Sequence, residues 1–396
     1  MKSTLKNKKL GDYIHQVDIR NKNLEVQTLL GVSNEKYFMP SIANIVGTDL
    51  SSYKIVKYNQ FAYGAVTSRN GDKISIALLK EKECIVSSSY IVFEINDINE
   101  LNPDYLMMWF KRPEFDRYSR YMSHGSVREL FGWEKLCEVE LPIPSIEEQL
   151  KIVDDYKVIE ERIAIKEAIN NNLFEQLSNL YRHNFLGNLP IDKLDSLILP
   201  EGYSIKTIGE YCSIKSGYAF KSDWWNPDDG FKVLKIGNIS QNSIDVINCD
   251  FVSEKHLSKA SLFKVSNYDM LIALTGATIG KIGFLPECDE ILYVNQRVGK
   301  FFFDSPAIEK IPFIYCSLMQ PEYINPIISK SEASSAQANM SGDDIQNLHI
   351  IYPPIEEINK FNKIAKNYFI NIGRNVNEIN KLRYMLGVLL SNITQQ

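Results

Sequence analysis

The sequence lacks the patterns that most often mark membrane proteins and metal sites. No window of eighteen apolar residues occurs, and the lysine-rich start MKSTLKNKKLGDY has no apolar stretch behind it, so neither a membrane span nor a secretory signal is expected. The six cysteines are scattered without a CxxC pair, and there is no HExxH or Cys/His cluster. A zinc site has weak support, and we expect reduced, mostly buried thiols in a cytoplasmic protein.

An excess of positive charge is also absent. The chain has 44 Lys and Arg against 49 Asp and Glu, for a net charge of −5, whereas nucleic-acid binders usually carry a basic excess. A local excess includes Lys111, Arg112, Arg117, Arg120 and Arg128, set against Glu114, Asp116 and Glu129. Taken alone, that stretch is at least as consistent with a solvated helix face of mixed charge, so charge does not indicate DNA binding.

Two segments resemble catalytic loops but miss the residues on which the chemistry depends. In TGATIGK (275–281) three residues separate the glycines and Ile282 follows the lysine, whereas a phosphate-binding loop needs four and then Ser or Thr. A strand–turn–strand corner is the better interpretation. Tyr352-Pro353-Pro354 lacks the Asn of the Asn-Pro-Pro-aromatic motif of adenine methyltransferases, and no Gly-rich turn for S-adenosylmethionine lies upstream. The sequence therefore predicts no catalytic residue, metal or cofactor in this chain.

What the sequence does contain is one long internal repeat. LGDY (10–13) is matched by IGEY (208–211), and PIPSIEEQ (142–149) by YPPIEEI (352–358). Between them, Thr67-x5-Lys73-Ile-Ser-Ile matches Thr275-x5-Lys281-Ile-Gly-Phe at an offset of 208 residues. A repeat of this length is far too long for a solenoid, so in a chain of 396 residues it indicates a duplicated domain.

Each copy ends in a long helical pattern. The first helix is predicted to begin with a capping box of Ser145 and Glu148 and to end at Gly187, and the second to begin at Pro354. A seven-residue spacing favours a coiled coil. It selects Ile152, Tyr156, Ile159, Ile163, Lys166, Asn170, Leu173, Leu177 and Leu180 in the first helix and Ile358, Phe361, Ala365, Tyr368, Ile372, Asn375, Ile379, Leu382, Leu386 and Leu389 in the second. If the helices run antiparallel with aligned centres, Lys166, Asn170 and Asn375 meet and help to fix the register. The alternative is two independent helices, each packed on its own domain.

Before each helix, short β-like runs alternate with helical stretches, which predicts α+β domains of undetermined strand topology. We expect two similar mixed α/β target-recognition domains, separated by two long antiparallel coiled-coil helices in a pseudo-two-fold arrangement. The expected boundaries are 1–143 for the first domain, 144–187 for the central spacer helix, 188–352 for the second domain and 353–396 for the distal spacer helix. Such internal symmetry suits a DNA target with two half-sites.

In this order, the repeated segments resemble the specificity subunits of Type I restriction–modification systems over essentially the whole chain. The resemblance is carried by LGDY, IGEY, CSIKSGYAFKS (212–222), TGATIGKIGF, YVNQRVGKFFF, SHGSVREL (123–130) and LPIPSIEEQ. The second junction lacks the usual glutamine, and SSAQANM replaces the arginine-bearing form of the first copy. The resemblance implies a non-catalytic subunit whose two domains each read half of a bipartite DNA site. It also implies that the helices dock two modification subunits, which carry S-adenosylmethionine, and that separate restriction subunits supply an ATP- and Mg-dependent motor.

The residues expected to touch DNA are polar and basic side chains in loops, because such groups read base edges and hold phosphates. The candidates are Arg69, Asn70, Lys73, Ser126 and Arg128 in the first domain, and Lys215, Tyr218, Lys221, Thr278, Lys281, Gln296, Arg297, Gln337 and Asn339 in the second. Any of them could instead support a strand or a turn. Three other functions stay open: a coiled-coil assembly scaffold without DNA binding, an enzyme with a pocket between the domains, and a specificity fragment of a fused restriction enzyme.

Overall fold

The chain forms two structural units, and each unit includes a part of both long helices. Unit 1 comprises residues 1–163 and 382–396, and unit 2 comprises residues 164–381. The computed structural model describes residues 7–41, 47–68, 71, 73–123, 129–187, 189, 191, 194, 197–226, 229–334 and 339–393. Each long helix is thus divided between the two units. The expected division into two domains and two separate spacer helices stays a prediction.

Unit 1 is built on a four-stranded antiparallel sheet covered by short helices. Its strands are β1 (Asn7–Lys9), β2 (Ile14–Val17), β3 (Leu30–Val32), β4 (Phe38–Pro40), β5 (Lys54–Val56), β6 (Phe61–Gly64), β7 (Ile76–Leu78), β8 (Cys84–Val86), β9 (Tyr90–Ile95) and β10 (Glu140–Pro142), and its short helices are α1 (Pro103–Phe110), α2 (Pro113–Tyr121) and α3 (Trp133–Cys137). The sheet has the order β2-β9-β6-β7. Phe61 and Phe93 stack at 4.8 Å, and Phe110 of α1 meets Phe61 edge-on at 5.8 Å. Helix α1 therefore closes one face of the sheet.

Unit 2 contains a sheet of the same order and a second, larger one. Its strands are β11 (Ser204–Thr207), β12 (Ser213–Ser216), β13 (Trp225–Asn226), β14 (Phe231–Leu234), β15 (Ile239–Ser240), β16 (Ser243–Ile244), β17 (Asp250–Val252), β18 (Lys264–Val265), β19 (Met270–Ala273), β20 (Ile282–Phe284), β21 (Leu292–Val294), β22 (Val298–Phe302) and β23 (His349–Tyr352), and its short helices are α5 (Ala307–Leu318), α6 (Pro321–Ser334) and α7 (Gly342–Gln346). The first sheet has the order β12-β22-β19-β20, and the second β13-β17-β14-β21-β18. In the second sheet β14 and β21 run parallel.

Unit 2 repeats the first sheet and the short helices of unit 1 in the same order and adds the second sheet. The segments LGDY and IGEY both form a short 3-10 turn, at Leu10–Asp12 and Ile208–Glu210. Strand β1 pairs antiparallel with β10, as β11 does with β23, and α1, α2 and α3 correspond in order to α5, α6 and α7. The predicted duplication and the predicted α+β fold are confirmed.

In each half of the chain a long helix follows the strands and short helices, as predicted. Helix α4 spans Ile146–Tyr181 and continues as a π-helical turn over Arg182–Leu186, and α8 spans Ile355–Asn392. The capping box forms, because the Ser145 amide donates to Glu148 Oε2 at 3.3 Å and the Glu148 amide donates to Ser145 Oγ at 3.4 Å. Gly187 ends the first helix with φ 52°, a left-handed conformation that favours glycine.

The buried stripe of α4 departs from the predicted spacing near its end. Leu173 is only partly buried, whereas the neighbouring Phe174 is buried and stacks on Tyr315 at 5.9 Å. Similarly, Tyr181 is buried where the spacing predicts Leu180, and its ring centroid lies 5.8 Å from that of Phe313. The 3.5-residue repeat describes packing against one partner helix, and here α4 also packs against α5 of unit 2. The alternative of two helices that never meet is wrong, because α4 and α8 are hydrogen-bonded to each other within unit 2.

The polar interruptions of the two helices do meet in unit 2. Lys166 Nζ donates to Asn375 Oδ1 at 2.9 Å and pairs with Glu378 at 2.9 Å. Asn375 Nδ2 donates to Asn170 Oδ1 at 2.8 Å, and both asparagines are buried. Further along α4, Tyr181 meets Phe361 near the start of α8, with ring centroids 6.0 Å apart, so the two helices run antiparallel within unit 2. A buried polar layer penalises every register that separates its members.

We expect Asn170→Leu to destabilise the helix pair by about 1–3 kcal/mol, because it leaves the buried Asn375 amide without its acceptor. The matched control is Asn171→Leu, the same change one residue later at an exposed position of the same helix. Both variants exchange Asn for a better helix former, so that gain cancels in the comparison. Hydrogen exchange of the amides of residues 164–181 measures the difference. Equal protection in the two variants would show that the polar layer does not hold the pair together.

The missing glutamine of the second junction has a structural counterpart. In unit 1, Gln149 is fully buried and its Oε1 accepts from the Asn102 amide at the start of α1, at 2.8 Å. Ile358 stands at the matching position in α8. One turn later, Asn362 accepts from the Phe313 amide in α5 at 2.9 Å. Each long helix is therefore hydrogen-bonded to the first short helix of its domain, through different residues.

Candidate nucleic-acid interface

Four strand ends of unit 2 lie along one edge of its first sheet. Because β12, β22, β19 and β20 are antiparallel neighbours, the ends of β12 and β19 lie beside the beginnings of β22 and β20. The predicted residues Lys215, Thr278, Lys281 and Arg297 belong to these ends or to the turns that join them. Residues far apart in the sequence are thus brought to a single edge, here called the reading edge.

Backbone hydrogen bonds bring further candidates to the reading edge. The Tyr218 amide donates to Val294 O at 2.9 Å, and the Leu274 amide donates to Arg297 O at 3.0 Å. Asn339 forms a bridge with Thr275, directly after β19. Gln296 and Arg297 are exposed in the turn that begins β22. The edge therefore presents amide and guanidinium groups of the kind that read base edges in a major groove.

Other candidate side chains have partners within the protein. Thr278 Oγ1 donates to Ile236 O at 3.1 Å and so supports the turn between β19 and β20. Lys215 lies 5.5 Å above the Phe302 ring, and Lys221 lies 5.7 Å above the Trp224 ring. Lys281 is half-buried. Direct DNA contact by each of these residues stays a prediction.

Gly217 sets the position of Tyr218. A Cβ atom at residue 217 would lie 2.3 Å from Val294 O and 2.5 Å from Asn295 O, so only glycine lets the chain cross β21 this closely. Its own amide donates to Val298 O at 2.9 Å. The glycine in SGYAF is therefore a requirement of the scaffold at the reading edge.

An aromatic cluster beside Tyr218 was missed by the sequence analysis. The Tyr218 and Trp224 rings are nearly parallel, with centroids 6.1 Å apart, and Phe220 lies 5.1 Å from Tyr218. Lys235 lies 3.8 Å above the Trp225 ring. The run YAFKSDWW was the available signal, since four aromatic residues in eight are unusual for an exposed loop. These flat rings flank the reading edge.

The segment TGATIGK forms the predicted corner. Gly276–Thr278 is a short 3-10 turn between β19 and β20, and Gly276 and Gly280 both have positive φ. No helix follows the lysine, so the amides are not arranged as in a phosphate-binding loop.

In unit 1, Lys73 lies at the edge that matches the reading edge, just before β7. Its Nζ donates to Glu35 Oε1 at 2.7 Å, and its side chain is about half exposed. The other candidates of this domain, Arg69, Asn70, Ser126 and Arg128, lie outside the described residues, as does Gln337 in unit 2. Their predicted DNA contacts stay predictions.

The mixed-charge stretch around α2 is only partly a solvated face. Arg112 is buried, with its guanidinium 4.3 Å from the Trp109 ring. Asp116 is buried as well and forms an ion pair with Lys36 at 2.5 Å, and burial holds the pKa of that lysine below its usual value. Arg117 and Arg120, in contrast, are exposed. The stretch therefore combines a buried anchor with an exposed basic face.

Three of the six cysteines are thiols of low reactivity. Burial raises the pKa of Cys84, Cys212 and Cys249 to about 12, which keeps these thiols protonated. Within the described residues, no three His, Cys, Asp or Glu side chains are grouped so that they could hold a metal ion. No helix in the same part of the chain is long and apolar enough to cross a membrane.

Comparisons with known proteins agree on one family. The sequence profile described as "Type I restriction modification DNA specificity domain" matches residues 4–175 and again 200–383. The Type I restriction enzyme MjaVIII specificity subunit of Methanocaldococcus jannaschii is 28% identical over 229 residues, which span 55% of this chain and 52% of that protein. The MjaIX specificity subunit of the same organism is 24% identical over 302 residues, 73% of this chain and 68% of that one.

Among solved structures, the Type I restriction–modification system S subunit from M. genitalium superposes with a TM-score of 0.54. The identity is 17%, and the match covers 98% of this chain and 95% of that one. At this identity the likeness supports the fold alone.

Proposed function

The chain belongs to the family of Type I restriction modification DNA specificity domains, a family of non-catalytic subunits, and we propose that it reads a bipartite site in double-stranded DNA. Each unit reads one half-site, and the long helices dock two modification subunits. Restriction subunits join the same cytoplasmic complex. S-adenosylmethionine, ATP and Mg belong to these partners.

The reading edge of unit 2 is the observation that carries this proposal. Tyr218, Gln296, Arg297 and Asn339 lie together there although up to 121 residues separate them in the chain. Amide and guanidinium groups can distinguish base pairs in the major groove. In unit 1 the matching edge contains Lys73, and we propose that it reads the second half-site.

The acidic composition is compatible with this role when the whole complex binds DNA. A net charge of −5 would disfavour tight binding by the chain alone. Modification subunits that hold the same duplex supply further cations for the phosphates. We therefore expect the complex to bind DNA much more tightly than the isolated chain.

Binding of the reconstituted complex to duplex DNA across a salt series tests the function. We expect log K to fall linearly with log salt concentration, with a slope of about −0.9 for each neutralised phosphate. The sequence of the duplex is taken from methylome sequencing of host DNA with and without the gene. The two methylomes should differ by a single bipartite adenine-methylation motif. A complex that assembles yet shows neither the motif nor salt-dependent binding would support the scaffold instead.

The isolated chain is the control for catalysis. Without the modification subunit we expect no transfer of tritiated methyl groups to duplex DNA and no cleavage of supercoiled plasmid, because a flipped adenine needs a base pocket beside a bound methyl donor. Methyl transfer by the chain alone, with partner protein excluded by mass spectrometry, would overturn the non-catalytic assignment.

A further inference from the structure

A groove of about 1010 Å³ runs beside α2 in unit 1. It lies among α2, the turn that contains Glu35 and Lys36, and the part of α4 around Tyr156. Five cations line it: Lys36, Lys73, Lys111, Arg117 and Arg120. Three carboxylates, of Glu35, Asp116 and Glu160, oppose them. Each lysine is paired with one of these carboxylates, Lys36 with Asp116, Lys73 with Glu35 and Lys111 with Glu160. The excess positive charge of the lining therefore comes from Arg117 and Arg120.

The exposed face of α2 supplies the accessible part of this charge. The Arg117 side chain is 69% exposed and that of Arg120 40%. The two arginines are three residues apart, so they lie on the same side of the helix. Tyr121 beside them is 80% exposed. Because the opposite face packs Phe115 into the core, the arginines do not contribute to the core of unit 1.

The repeat shows that the fold does not need these arginines. Helix α6 occupies the matching place in unit 2, and both helices begin with proline, Pro113 and Pro321, at an offset of 208 residues. At this offset Arg117 corresponds to Asn325, and Arg120 corresponds to Ile328. The latter packs on the core of unit 2. The basic face is a property of unit 1 alone.

The arginines are held by weak partners. Arg117 pairs with Glu114 at 3.0 Å and Arg120 pairs with Glu129, all on exposed or half-exposed side chains. Exposed ion pairs of this kind contribute little to stability and are screened by salt. A phosphate, which suits the guanidinium fork at least as well as a carboxylate, can replace either glutamate without a cost to the fold.

We propose that Arg117 and Arg120, continued by Lys73, bind the phosphodiester backbone of DNA along this groove. Lys73 lines the groove and also lies at the edge that matches the reading edge, so a duplex read at that edge continues past α2. The proposal rests on the proposed function. It assigns the groove a positioning role, because phosphate contacts fix orientation on the duplex but carry no sequence information.

Salt-dependent binding by the reconstituted complex tests the proposal. For Arg117→Gln/Arg120→Gln we expect the slope of log K against log salt to become shallower by about 1.8, at about 0.9 per lost contact. The ratio of wild-type affinity to variant affinity should then change about twelve-fold between 50 and 200 mM salt. Target and non-target duplexes should lose affinity alike, and the methylated sequence should stay the same.

Two variants serve as controls. Lys22→Gln removes one charge at an exposed turn of unit 1 that does not line this groove, and it should leave the slope unchanged. Arg117→Lys/Arg120→Lys keeps both charges and should restore it.

Three outcomes would overturn either the groove proposal or the proposed function. An unchanged slope in the double Gln variant, in a complex whose wild type binds its target, would refute the groove proposal and leave the proposed function intact. Loss of the modification subunit from the purified variant would assign the groove to a protein partner and refute the DNA contact. Absence of target-specific binding by the wild-type complex would refute the proposed function itself.

Discussion

Asp116→Asn is expected to destabilise unit 1 by about 3–5 kcal/mol, since it leaves a buried ammonium group without a counter-charge. Lys36 Nζ lies 2.5 Å from Asp116 Oδ1 and also donates to Ile74 O at 3.0 Å, and the two side chains are only 6% and 11% exposed. Asp116 Oδ1 also accepts from the Ile74 amide at 3.0 Å. The pair thus ties α2 to the turn after β3 and to the segment that carries Lys73.

The pH dependence of the stability of Asp116→Asn distinguishes the loss of a counter-charge from a change in packing. In the wild type, burial lowers the pKa of Lys36 from 10.5 while Asp116 raises it, so the substitution lowers the folded-state pKa further. Between that pKa and 10.5 the unfolded chain binds more protons than the native one, and the free energy of unfolding therefore rises with pH. Raising the pH from 8 to 10 should recover more of the stability of the variant than of the wild type.

Urea unfolding followed by tryptophan fluorescence measures both effects. Trp109 and Trp133 report unit 1 in a Trp224→Phe/Trp225→Phe background, which removes the two tryptophans of unit 2. The double variant Lys36→Met/Asp116→Leu is the matched control and should lose less stability than Asp116→Asn, because it leaves no unpaired charge. Its remaining loss, about 1–3 kcal/mol for each group, comes from the Ile74 amide and carbonyl, which lose their side-chain partners. A loss below 1 kcal/mol in Asp116→Asn would show that water reaches the pair and that it is not an anchor.

The long helices and their polar layer could be predicted because their signal is local. A seven-residue stripe is visible in the sequence, and Lys166, Asn170 and Asn375 stand out as polar interruptions of it. The shift from Leu173 to Phe174 could not be predicted in the same way. It depends on Tyr315, more than 140 residues away, which belongs to the domain on which the helix packs.

The duplication was predictable and the strand pairing was not. Matching segments at a near-constant offset identify a repeat without reference to structure. The five-stranded sheet of unit 2, in contrast, joins Phe231–Leu234 in parallel to Leu292–Val294 across about sixty residues. Which short strands pair depends on packing of the whole domain, since β propensity is weak and depends on its context.

The candidate site could be predicted as a set of residue types but not as a surface. Gln296 and Arg297 are exposed at the reading edge as expected, whereas the Thr278 hydroxyl supports a turn. Within the basic stretch, the sequence does not distinguish Arg112, which is buried on Trp109, from Arg117, which faces the groove. The distinction depends on which turn of α2 meets the core.

Exchange of residues 190–352 for the second domain of another family member is expected to change one half-site completely and leave the other unaltered. The exchanged segment contains the whole reading edge of unit 2, and the matching edge of unit 1 around Lys73 lies outside it. Both long helices are retained together with Lys166, Asn170, Asn375 and Glu378, so the polar layer is unchanged.

The choice of donor decides whether the chimera can fold. In unit 2, Phe174 stacks on Tyr315 and Tyr181 packs against Phe313, so the incoming domain must carry aromatic residues at both positions. A donor with small residues there would leave cavities beneath α4, at a cost of about 3–5 kcal/mol for each lost ring. Such a donor is a control for folding, since it should abolish assembly whatever its sequence preference.

Methylome sequencing of a host that carries the chimera and the modification subunit measures the result. The new motif should keep the half-site read by unit 1 and gain the second half-site of the donor. The reciprocal exchange of residues 1–143 should alter only the other half. Because the reading edges are built from separate strands in separate units, a change in both half-sites, in a complex that still assembles and methylates, would mean that the bases are read elsewhere.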